Sequence, residues 1–155
     1  MVMTSITAAA VVAGGIVVAF AATGAAAQQP QPAFLPRANV TVANNSPVPQ
    51  IVAGTNVPPF ELLPHQQAEL AMQAPSPPVA DGPRPVRFYY SVGQAPGPQC
   101  HGTIDMTVAV RGVSTRENEA TNCVAHSLGI GGASCNIAVS AHDSRCVGGL
   151  AFVAP

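Results

Sequence analysis

Residues 100–110 read CHGTIDMTVAV. Cys100, Ile104, Met106, Val108 and Val110 share one side of an extended chain, and His101, Thr103, Asp105 and Thr107 share the other. Side chains alternate faces along a strand, so a dry side and a wet side at period two predict a β-strand with one face in a core. Further runs of this kind lie on either side. Residues 38–44 (ANVTVAN) alternate Val40 and Val42 against Thr41 and end at the turn residues NNSP. QIVAG (50–54), PFELL (59–63), a turn at Pro64-His65 and QAELAMQ (67–73) follow. A proline-rich stretch, APSPPVADGPRP (74–85), reads as a loop or edge connection because proline donates nothing to a ladder. VRFYYSV (86–92) precedes the 100–110 strand; SCNIAVS (134–140), a turn at AHDS and RCVGGLAFV (145–153) close the chain. No window carries apolar residues at helical spacing between caps.

Seven or eight short strands with turn signals between them predict an all-β chain folded as a small antiparallel β-sandwich. The phrasing of the first half, strand, NNSP, strand, PFELLPHQQAEL, resembles in rhythm the immunoglobulin-like secreted domains. The resemblance is one of spacing only, since the B-strand cysteine and following tryptophan of antibody domains are missing.

Composition narrows the function classes. The 155 residues are long enough for one domain, and aromatic residues make up 5%, with no tryptophan, so the core is expected to be built from small apolar side chains. All six basic residues are arginine, scattered and offset by seven acids. Without a basic patch to neutralise phosphates, nucleic acid is not an expected partner.

Residues 6–27 run without a charge and end in Ala25-Ala26-Ala27, after which the text changes to QQPQPAFLP. An apolar stretch followed by an A-x-A site reads as a signal peptide over 1–27, cleaved after Ala27. An uncleaved membrane anchor is the alternative, because the run is long enough to span a bilayer. Residues 28–37 are then a Pro/Gln-rich tether and 38–155 the sandwich. Four cysteines in the C-terminal half of an exported chain predict two disulfides, and no C-x-x-C spacing suggests zinc. If His142-Asp143 is a two-residue hairpin turn, Cys135 and Cys146 are displaced by four residues, about 13 Å, beyond disulfide reach. Of the two remaining pairings, Cys100–Cys146 with Cys123–Cys135 is preferred, because Cys100 faces the core and the 123–135 loop is short.

The stretch 125–129, AHSLG, looks like the nucleophile elbow of the α/β-hydrolases, with Ala125 where glycine is usual. That elbow requires a buried parallel strand before it, a helix after it, and an acid and then a histidine downstream. Here RENEATNCV precedes it, GIGGAS follows, and only His142 and Asp143 come later, adjacent and in reversed order. The expectation is a glycine-rich loop spanning Arg111 to Gly132, and Ser127 hydrolysis is the weakest of three functional readings. The second is a periplasmic copper or zinc protein using His101, His126 and His142. The first is a non-enzymatic binding or structural module of the envelope or extracellular space, with no cofactor. Its partner is an unidentified protein or envelope component, it touches membrane only through an uncleaved N-terminal segment, and its contact residues are Tyr89, Arg87 and Arg116. Two sequons, Asn39-Val40-Thr41 and Asn44-Asn45-Ser46, matter only in a eukaryotic secretory route, whereas the Ala/Pro/Arg-biased, lysine-free composition suggests a bacterial source.

Overall fold

A computed structural model describes residues 35–75, 82–111 and 117–155. The expected signal peptide, nearly all of the expected tether, and Arg116 lie outside them. Among the described residues there is no helix. The described residues form nine strands: β1 (Arg37–Asn44), β2 (Gln50–Gly54), β3 (Val57–Leu62), β4 (Gln67–Gln73), β5 (Gly82–Gly93), β6 (Gln99–Arg111), β7 (Glu117–Ile130), β8 (Ser134–His142) and β9 (Arg145–Val153). They make two sheets, ordered β4-β1-β9-β8 and β3-β2-β5-β6-β7.

Alternation is what fills the core. Val40, Val42, Leu70, Met72, Leu150 and Phe152 come from the four-stranded sheet. Val52, Phe88, Tyr90, Val92, Ile104, Met106 and Val108 come from the other, and all join one buried cluster. Each sits two residues from the next along its strand, as a strand with one dry face requires. Tyr90 is the polar exception. Its ring lies over Gly102, where an added Cβ would meet the phenol oxygen at 2.2 Å, and its hydroxyl donates to the carbonyl of His126 at 3.1 Å. Burial pushes the Tyr90 phenol above its ordinary value.

Several expectations change. The pairing of β1 with β9 is parallel, from Arg37 opposite Arg145 to Asn44 opposite Phe152, so the four-stranded sheet is mixed rather than antiparallel. First and last strands share no hairpin, and nothing local fixes their mutual direction. The proline-rich stretch contributes to β5 from Gly82, with Pro83 and Pro85 inside the strand. They are tolerated because β2 reaches only Tyr90 to Val92, leaving the first half of β5 with a bare edge on that side.

The larger correction is β7. The segment expected as a loop from Arg111 to Gly132 holds a 14-residue strand paired to β6 along its length, with one irregularity at Thr107/Val108. Its polarity is inverted. Cys123, Ala125, Ser127 and Gly129 share the side toward β8, while Val124, His126, Leu128 and Ile130 share the other. Small residues point inward and bulky ones outward, so the alternation carried no core signature. Only the Gly131-Gly132 turn, where both φ angles are positive, answers the glycine-loop expectation.

The bridges follow from that strand. They are Cys100–Cys135 and Cys123–Cys146, with Cα separations of 5.9 and 5.8 Å, and each ties one sheet to the other. The preferred pairing of Cys123 with Cys135 fails because Cys123 stands six positions before Gly129, about 20 Å up the strand. Cys100, opposite Gly129, is at the turn where Cys135 arrives. The β8–β9 turn is Asp143-Ser144 rather than His142-Asp143, which places Cys135 opposite Phe152 and Cys146 opposite Ala141. The expected impossibility of a Cys135–Cys146 bridge therefore stands with a wider gap. No described cysteine is free, and the two bridges fit an oxidising compartment.

Candidate outer face of the five-stranded sheet

The outward side of β5, β6 and β7 is a flat field set by register. Arg87 lies opposite Asp105, which lies opposite Val124; Tyr89 opposite Thr103, which lies opposite His126; and Ser91 opposite His101, which lies opposite Leu128. Arg87 grips Asp105 with two hydrogen bonds, Nε to Oδ1 at 2.5 Å and Nη2 to Oδ2 at 3.1 Å. The fork of the guanidinium matches the carboxylate, the strongest geometry such a pair adopts. That hydrogen bond, helped by the charges of Arg87 and His126, holds the Asp105 carboxyl below its ordinary range, and Asp105 holds Arg87 above its own. His126 Nε2 stands 3.9 Å from Asp105 Oδ2.

Around this polar centre the surface is apolar. Tyr89 is 61% exposed, Leu128 64%, Ile130 44% and Val124 41%. The expected contact residues Tyr89 and Arg87 thus share one face, joined by three apolar residues of β7 that sequence reasoning placed in a loop and did not single out. Their signal was the spacing Val124, Leu128, Ile130, which shares one strand face.

The three histidines are distributed differently. His101 and His126 are on this face, diagonal to each other, and His101 Nε2 is bound to Gln99 Oε1 at 2.8 Å. His142 is the last residue of β8, beside the β8–β9 turn, with Nδ1 3.0 Å from Asp143 Oδ2. Among the described residues, no three of His, Cys, Asp and Glu are grouped to hold a metal. Ser127 lies within a strand rather than on a strand–helix turn, and its Oγ donates to the carbonyl of Cys135 at 3.1 Å. His126 points to the opposite side of β7.

The sequons are also spoken for. The Asn39 amide donates to Glu69 on β4. Asn44 is fully buried: its Nδ2 reaches the carbonyls of Val48, Leu62 and Leu63 at 3.0, 3.0 and 3.2 Å. Its Oδ1 accepts from the Ser46 amide at 3.0 Å and the Ser46 hydroxyl at 2.6 Å. A second shallow feature, a depression of about 340 Å³ on the outer face of the four-stranded sheet, is floored by Ala43, Gly149 and Ala151 between Thr41, Gln67 and Asn136.

No helix among the described residues is long and apolar enough to cross a membrane. No family model matches the sequence, and no curated protein or solved structure is significantly similar to it.

Proposed function

We propose that the chain is an exported β-sandwich of immunoglobulin-like rhythm. It acts in the cell envelope or extracellular space as a non-enzymatic binding or structural module, and meets its partner through the outer face of the five-stranded sheet. One observation carries the reading. Of the large apolar side chains exposed among the described residues, Tyr89, Val124, Leu128 and Ile130 gather on this face around the Arg87–Asp105 pair. A solvated sheet face usually alternates toward polar residues, and large apolar side chains gathered on one exposed face mark an interaction site. The paired cysteines and the 1–27 segment agree with export, with cleavage after Ala27.

The test is site-specific photocrosslinking in the native host. A benzophenone amino acid at Tyr89 is expected to give one discrete adduct, and the same group at Thr41, on the other sheet, none. Equal labelling at both positions, or no adduct at Tyr89, overturns the assignment. An intact mass beginning at Gln28 checks export. Stoichiometric binding of Cu²⁺ or Zn²⁺ by calorimetry, lost on replacing His101 and His126, would instead establish the metal-binding reading.

A further inference from the structure

We propose that β7 is a self-recognition edge: two copies of this chain pair their β7 strands antiparallel about a twofold axis at His126, joining two five-stranded sheets into one. The inference goes beyond the face described above, since it concerns the backbone rim of the sheet, although Val124, His126, Leu128 and Ile130 belong to both.

Among the described residues β7 is the last strand of its sheet, so its backbone groups on the side away from β6 form an open edge. Such edges recruit further strands unless charge, proline or a short length blunts them. The other edges are guarded or differently built. β3 carries Pro58, Pro59 and Glu61, β4 carries Glu69, and β8 presents Asn136, Ala138 and Ser140 outward. Residues 122–130 of β7 contain no proline and no Asp, Glu, Lys or Arg. The β8–β9 turn occupies the far end, where the Ala120 amide donates to the Asp143 carbonyl at 3.0 Å, and so bounds the usable edge to 122–130.

That stretch is complementary to itself. An antiparallel pair centred on His126 sets Val124 opposite the partner's Leu128, and Asn122 opposite the partner's Ile130. Directly opposed apolar side chains are the favourable cross-strand pairs, and both residues of the first pair are exposed in the single chain. On the other side, Ala125 meets the partner's Ser127 and Cys123 the partner's Gly129, all small residues. His126 opposes the partner's His126, and each keeps its Asp105 carboxylate 3.9 Å away, itself clasped by Arg87. A closed twofold contact of this kind is the commonest form of homo-oligomer.

Sedimentation equilibrium of the disulfide-intact chain between about 1 μM and about 1 mM is expected to show a monomer–dimer equilibrium. Leu128→Lys, which sets a cation against the partner's Val124, weakens the dimer at least tenfold, whereas Thr41→Lys on the other sheet leaves it unchanged. Register is read separately. His126→Cys forms an intermolecular disulfide on mild oxidation, and Val124→Cys alone, facing the partner's Leu128, does so far less. A monomer throughout the range, a dimer indifferent to Leu128→Lys, or equal crosslinking at 124 and 126 overturns the proposal. If Leu128→Lys loses its β dichroism, the cysteine pair decides. A missing dimer with the Tyr89 adduct intact removes the edge and leaves the face.

Discussion

The first four strands and the last four meet the same shortage by different means. A core whose fully buried side chains include, among the described residues, only two phenylalanines, Phe88 and Phe152, buries little area per residue, so the two sheets need more than apolar contact to stay in register. The C-terminal strands use sulfur: β6 is bonded to β8 and β7 to β9. The N-terminal strands use one amide. Asn44, at the end of β1, ties the β1–β2 turn at Val48 to the carbonyls of Leu62 and Leu63 at the end of β3, and Gln50 Nε2 completes the node on Ser46 Oγ at 3.1 Å. Covalent closure acts largely on the unfolded chain, whereas a buried polar node acts on the folded one by leaving nothing unsatisfied. The two devices should therefore fail differently.

Reducing both bridges is expected to cost most. Each contributes about 3 kcal/mol for closures of this size, so together about 6 kcal/mol, an amount comparable with the whole stability of a small domain. Urea titrations of the oxidised and reduced chain check it; a shift in midpoint below one quarter of the oxidised value would mean that the N-terminal strands carry more of the fold than proposed. Asn44→Ala comes next, at about 3 kcal/mol, because it strands buried carbonyls and the Ser46 amide at once. Asn44→Asp sharpens the point. A carboxylate oxygen would replace the amide facing three carbonyls, so this nearly isosteric variant is expected to be at least as unstable at neutral pH and to regain stability as acid protonates it. Equal midpoints for Asn44→Asp and the parent chain at pH 7 would dismiss the node.

The same contrast marks what was legible in sequence. The N-terminal strands β1, β2 and β4, and β9 at the other end, were readable nearly to the residue, because Val40/Val42, Leu70/Met72 and Leu150/Phe152 place apolar bulk inward at period two. β7 was not, because its inward residues are Cys123, Ala125, Ser127 and Gly129, whose small size reads as loop, while Val124, Leu128 and Ile130 face solvent. Losing β7 misplaced Cys123 and with it both bridges. It also hid half of the candidate face, of which Tyr89, Arg87, the two histidines and the wet-side residues Thr103 and Asp105 could be named beforehand. Asn44 was visible only as a sequon and a turn residue; that it is buried depends on β3 and β4 arriving from elsewhere in the chain, which no local pattern encodes.

The smallest expected effect lies on the face itself and separates recognition from stability. Asp105 titrates below its ordinary range because Arg87 holds its charged form. A carboxyl lowered on folding lends stability that is complete above the unfolded value and disappears as pH falls through the lowered folded value. The loss should therefore appear only in acid, between the ordinary carboxylate range and the lowered one, and Asp105→Asn should erase that limb of the stability–pH curve by lowering stability at neutral pH by the same small amount, with no change in acid. The Arg87 end of the pair is exposed, and exposed pairs of this kind contribute little to folding. Under the proposed function, a fork registered across β5 and β6 yet nearly idle in stability would orient a partner's polar group rather than hold the sheet. Denaturant midpoints from pH 2 to pH 7 for the parent and for Asp105→Asn decide the matter: a large loss at neutral pH would return the pair to structure, and the face would then rest on Tyr89 and the apolar rim of β7 alone.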